Sequence, residues 1–234
     1  MPLPDFTTPN IFPPFSALPL TTQDDNPPPN PTTTPSHYLL AEITENMTLT
    51  KPTLILTDLT ASTFALIFHS RPASGPDTLD FAKLGYKKGA TLVIPDARRT
   101  PGKSEGKQGF VAVTREQERG VRVVPAGLKN VVGVMERLAE RDGVVGHDGD
   151  DDDDDDGEEE VQGGRRKKGC ENCGASGEGE KRDGGGGGGK GKLMKCTGCG
   201  EVEYCCKDCQ VKGWSEGGHK ADCKVIKAIR AIWP

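Results

Sequence analysis

All eight cysteines of this 234-residue chain fall between residues 170 and 223. Cys170 and Cys173 have C-x2-C spacing, as do Cys196 and Cys199, while Cys205/Cys209 and His219/Cys223 each stand four apart. A C-x2-C turn aims two thiolates at one point, and side chains at i and i+4 share a helix face. Tetrahedral zinc takes four ligands, so four such pairs predict two zinc ions in two closed sites. A closed site leaves no position for water, which makes the expected zinc structural and not catalytic. Spacing leaves two points open. Cys206 with Cys209 is also C-x2-C, so Cys206 competes with Cys205 for a place, and the pairs can join sequentially or interleave.

Metal ligands are preferred to disulfides because the N-terminal stretch has neither the basic nor the apolar region of a secretory signal. No apolar run approaches the ~18 residues of a membrane span. The expected location is therefore nuclear or cytoplasmic and not secreted. The cluster Arg165-Arg166-Lys167-Lys168 tips the balance slightly toward the nucleus.

Hydrophobic residues make up 33% and aromatics 5% of the chain, too few for one large core. The deficit is local: eleven of the 18 prolines lie in residues 1–36 and 17 of the 31 glycines in residues 143–192. The chain divides accordingly. Residues 1–36 read as a disordered Pro-rich tail, 37–142 as a folded domain, 143–169 as a disordered acidic-then-basic linker, and 170–234 as the zinc module. The net charge of −5 follows the same division, because residues 143–160 alone hold 11 acids and no base. Both folded parts are mildly basic.

Within 37–142, strand-like runs are expected near His37–Thr44, Thr53–Thr57, Thr63–His69, Thr91–Ile94, Gly109–Thr114 and Val121–Val124. Leu128, Val131, Val132, Met135, Leu138 and Ala139 then recur with helical period, so one amphipathic helix is expected over Gly127–Arg141. Short strands and a single helix suggest a small closed or half-closed β-barrel of OB-like type. Lys87, Lys88, Arg98, Arg99, Lys103 and Lys107 lie near its turns and make nucleic acid the alternative partner. Phe64, Phe68, Phe81, Tyr86 and Phe110 are its only stacking faces, and most read as core. Beyond Cys223, Val225, Ile226, Ile229, Ile232 and Trp233 form one apolar stripe, read as a helix packed on the zinc module.

Cys170-x2-Cys173, Cys196-x2-Cys199, Tyr204-Cys205-Cys206-x2-Cys209-Gln210, Trp214 and His219-Lys220-x2-Cys223 together resemble the MYND-type zinc finger. The resemblance implies a cross-brace, with Cys170, Cys173, Cys205 and Cys209 on one zinc and Cys196, Cys199, His219 and Cys223 on the other. It also puts Cys206 at the family's usual Ser position, as a non-ligand. Two Gly-rich stretches are longer than the family usually has: the 22 residues between Cys173 and Cys196, and Ser215 to Gly218. As surface loops they cost little, since closure entropy grows slowly with length.

The resemblance further implies a protein-interaction module that docks short Pro-rich peptides, with Gln210 and Trp214 contacting the peptide. The expectation is a non-enzymatic zinc adaptor, with no catalytic residue, serving transcriptional or regulatory complexes. MYND fingers also occur beside methyltransferase (SET) domains. Residues 37–142, however, show no Gly-rich cofactor loop, no Asn-His/Cys signature and no nucleophile–base pair.

Overall fold

The computed structural model describes residues 3–4, 8–21, 34–69, 71–72, 75, 77–102, 108–142, 169–175 and 193–233. They fall into two compact units, Asp5–Gly133 and, separately, Met1–Pro4 with Val134–Pro234.

The first unit is built on strands β1 (Tyr38–Asn46), β2 (Thr53–Asp58), β3 (Thr63–Phe68), β4 (Thr91–Pro95), β5 (Arg99–Thr100), β6 (Phe110–Val113) and β7 (Arg122–Val124). They form one sheet in the order β5-β6-β3-β2-β1-β4-β7. β1, β2 and β3 make an antiparallel meander, β4 pairs antiparallel with β1, and β6 runs parallel to β3. Alternation explains the core: Leu39, Ala41 and Ile43 on β1 pack in one cluster with Leu54 and Leu56 on β2 and Phe64, Leu66 and Phe68 on β3. Phe81 and Tyr86, from the β3–β4 connection, join it against Phe68 at ring separations of 5.7 and 6.3 Å.

Two expectations are corrected here. The barrel is open, not closed, because β5 and β7 stand at opposite ends of the strand order. Its edge strands have two and three residues, too short to zip the ends together. And residues 8–21 are not a loose tail. Phe12, Phe15 and Leu18 are buried, and Phe15 stacks on Phe64 with ring centroids 4.3 Å apart. The Phe15 amide donates to Oδ2 of buried Asp58 at 2.7 Å, which anchors the segment to the end of β2. Residues 22–33 and the linker at 143–168 lie outside the described residues.

A short helix α1 (Arg115–Glu118) opens with a capping box from Thr114 and Gln117. Helix α2 (Leu128–Asp142) follows. Glu42 on β1 receives its first amide, Leu128 N–H to Oε2 at 2.9 Å, placing a carboxylate at the positive end of the helix. Residues 128–133 of α2 belong to the sheet unit and 134–142 to the second unit. The second unit adds the two-residue strands β8 (Met194–Lys195) and β9 (Glu203–Tyr204), then helices α3 (Lys207–Ser215) and α4 (His219–Ile232). Val225, Ile226, Ile229 and Trp233 are buried, so the apolar stripe of α4 faces inward.

Candidate metal centres

Two tight turns carry the C-x2-C pairs. In each, the first cysteine's carbonyl accepts from the glycine just past the second cysteine: Gly174 N–H to Cys170 and Gly200 N–H to Cys196, both at 2.8 Å. These glycines have φ of +71° and +75°, the left-handed region that a side chain strains. The turn thus curls both sulphurs to one side. The β8–β9 pair, with Met194 opposite Tyr204, holds the second turn beside the Tyr204-Cys205 segment.

Cys206 is the N-cap of α3, its sulphur accepting from the Cys209 amide at 3.4 Å. It does there what a serine hydroxyl does at a helix start. Cys205 and Cys209 then project together. The last pair opens α4, where Gly218 at φ +76° turns the chain into His219, and His219 and Cys223 sit buried one turn apart.

The structure gathers Cys170, Cys173, Cys205 and Cys209 into one cluster and Cys196, Cys199, His219 and Cys223 into another, with all donor atoms of each within 4.8 Å of one another. The first pair thus joins the third and the second joins the fourth, the interleaved arrangement. The donor set can be tested against the ion. With Zn–S near 2.3 Å, tetrahedral geometry sets sulphurs about 3.8 Å apart, and sulphur and imidazole nitrogen about 3.6 Å apart. The observed separations are 3.6 Å for Cys173–Cys205 and Cys205–Cys209, 3.8 Å for Cys196–Cys223, and 3.6 Å from Cys199 Sγ to His219 Nε2. Both clusters fit two zinc ions.

The electrostatics favour loading. Burial works against a Cys170 thiolate, yet the amides of Cys205, Cys173 and Asn172 turned toward its sulphur bring the thiol down to about 6. Cys196 is opposed by burial in the same way and brought down to about 6 by the Cys199 amide and the His219 side chain. Burial and the neighbouring thiols push Cys205 up, and burial with Cys196 pushes Cys223 up to about 12. Each cluster therefore sets a thiol poised as thiolate beside one that holds its proton, Cys170 beside Cys205 and Cys196 beside Cys223, and a zinc ion displaces that proton.

Sequence reasoning missed two supporting residues. Asn172 directs its Nδ2 at Cys209 Sγ, 3.5 Å away. Gly198 leaves room for the opposing ligand, since a Cβ there would stand 2.6 Å from Cys223 Sγ. The dipeptide Thr197-Gly198 inside the C-x2-C turn was the available signal.

Gln210 and Trp214 lie one turn apart on α3. Gln210 is half-buried, and Trp214 is 39% exposed with its ring edge-on to His219 at 5.6 Å. Val211 beside them is exposed. In the sheet unit, Lys87 and Lys88 are exposed and Arg98 and Arg99 half-buried, while Lys103 and Lys107 lie outside the described residues. Phe64, Phe68, Phe81 and Tyr86 are core, and half-buried Phe110 stacks on His69 at 6.1 Å.

Residues 170–223 match the zf-MYND family, described as the MYND finger. The chain contains a MYND finger. A MYND finger is a zinc-binding protein-interaction module, and the cross-braced clusters are its metal centres in this chain. Similarity to the human histone-lysine N-methyltransferase SMYD3 amounts to 41% identity over 45 residues, 19% of this chain and 10% of that relative. The chain thus matches about a tenth of the relative's length. Among the described residues no helix is long and apolar enough to cross a membrane.

Proposed function

We propose that this protein is a non-enzymatic zinc adaptor whose MYND finger docks short Pro-rich peptides across Gln210 and Trp214, bringing partners into regulatory complexes. The observation that carries this reading is the outer face of α3. A half-exposed indole stands four residues from an amide on the same face, and the indole ring rests on a buried metal-site histidine. A rigid indole gives proline rings a flat surface at low entropy cost, and the amide can bond an extended backbone that lacks internal hydrogen bonds. Two four-donor clusters leave neither metal an open position, which supports a structural role for the zinc. The similarity to a methyltransferase is confined to the finger, so we propose no methyl transfer.

The test is a titration of the zinc-loaded full chain with a panel of Pro-rich peptides, followed by amide and indole NMR shifts. Shifts centred on Gln210 and Trp214, abolished in a Trp214→Ala chain that keeps both zincs, are the expected result. Unchanged peptide affinity in that variant overturns the groove. A thermal shift with S-adenosylmethionine would reverse the non-enzymatic part. The OB-like reading of the sheet unit is part of this proposal, supported by a partly open barrel with an antiparallel meander and a parallel β3–β6 pair. Nucleic acid is the second partner class, and there the buried aromatics leave only salt-sensitive phosphate contacts.

A further inference from the structure

The zinc-bearing loops are tied to a helix that lies outside the matched finger. Arg137 on α2 pairs with Asp222 at 2.6 Å, and Asp222 directly precedes the ligand Cys223. Arg141 donates to the Glu201 carbonyl at 3.2 Å and reaches the Glu171 carboxylate at 3.6 Å. Glu171 follows Cys170 of one cluster and Glu201 lies two residues beyond Cys199 of the other, so one guanidinium bridges both metal loops. In return, Arg230 of α4 grips Asp142 at the end of α2 with two bonds of 2.9 Å and holds Glu201 at 3.2 Å. The Arg230 side chain is only 16% exposed, which screens that fork less than a surface pair. On the same stretch of α2, Val134, Met135, Leu138 and Ala139 are each at most 2% exposed.

We propose that residues 134–142 of α2 are an integral part of this zinc finger. Arg137, Arg141 and Asp142 act as positioning residues that hold the loops around the metals and slow zinc loss. None of the three is a ligand. Single half-exposed ion pairs contribute little, but here several converge from one helix end onto residues flanking the ligands. A tetrahedral site loses its ion when one ligand swings away, so restraining Glu171, Glu201 and Asp222 restrains Cys170, Cys199 and Cys223. The inference does not depend on peptide docking.

The experiment measures the rate at which the zinc-loaded full chain gives up its metal to excess 4-(2-pyridylazo)resorcinol. Arg137→Ala should release zinc about two- to fivefold faster, the scale of one exposed pair lost, and Asp142→Asn, which weakens the two-bond contact with the less exposed Arg230, at least as much. Glu136→Ala, on the outward face of the same helix, should match the unaltered chain. Exchanging the charges of one pair, Arg137→Asp with Asp222→Arg, should restore most of the loss, and Arg137→Lys should retain most of the retention. Rates for Arg137→Ala and Asp142→Asn equal to Glu136→Ala overturn the proposal, as does an exchange no better than the single changes. Salt gives a reading free of folding defects in the variants. Raising ionic strength from 0.1 to 1 M shortens screening from about 10 to about 3 Å and should speed release from the unaltered chain. A salt-insensitive rate is again a refutation.

Discussion

Gly198 shows how a single hydrogen atom can decide metal binding. Its Cβ position is 2.6 Å from Cys223 Sγ, and that sulphur is fixed by its own cluster. Gly198→Ala should therefore loosen the Cys196/Cys199/His219/Cys223 site and spare the other, so metal analysis after gentle chelation is expected to find one zinc instead of two. Tyr204 makes the opposite case. Its ring is 1% exposed and leaves no room above Gly213, where a Cβ would come within 2.5 Å, yet its hydroxyl has no hydrogen-bond partner among the described residues. A buried unpaired hydroxyl is a cost, so Tyr204→Phe should leave the melting temperature unchanged or raise it, by up to about 1 kcal/mol of stability. Gly213→Ala forces that ring against the helix and should cost about 1–3 kcal/mol in the same melt. The four ligand pairs were legible in the sequence because their spacing is local turn and helix geometry. Their interleaving and the choice of Cys205 over Cys206 came from the family resemblance and not from spacing. The Gly198–Cys223 and Gly213–Tyr204 contacts were not legible, since each depends on how distant segments meet.

Secondary structure follows the same rule. The six expected strands and the long helix all have counterparts, because period-two and helical patterns are written in adjacent residues. The two-residue β5 has no period of its own and exists through its pairing with β6. The segment around Phe15 was hidden for another reason: its prolines and scattered apolar residues resemble a tail, and its anchor, Asp58, lies 43 residues away. The three-residue spacing of Phe12, Phe15 and Leu18 was the trace it left. Asp58 also accepts from the Thr60 and Ser62 amides at 2.9 Å, so one buried carboxylate joins the β2–β3 turn to this segment. Asp58→Ala strands several buried donors and should cost at least about 2 kcal/mol. Phe15→Ala should cost about 3–5 kcal/mol through the lost ring and its cavity. Chemical denaturation that shows neither loss would mean the segment does not hold the sheet.

At the scale of the whole chain, the two units draw stability from different sources. The sheet unit has an apolar core of its own, with β1, β2 and β3 each presenting a buried face. The finger unit owes its fold to metal, since structural zinc supplies on the order of 10–16 kcal/mol of apparent free energy. Acid should separate them. Thiolate and imidazole donors must give up their protons to hold zinc, so acid competes with the metal at both clusters and not in the apolar sheet core. Finger stability therefore rises with pH and is lost as protons displace the metal. Two zincs should thus stay bound at pH 7.5 and leave on acidification below about 6, as read by metal analysis. Chelation at pH 7.5 isolates the metal from the proton. Amides of residues 193–233 should lose dispersion and exchange protection, while those of β1 to β4 and β6 keep theirs. Within α2 the loss should begin after Gly133, where the division between the units falls. Collapse of the whole spectrum would mean that the sheet cannot stand without the finger's zinc, and survival of α3 and α4 that zinc does not fold the finger.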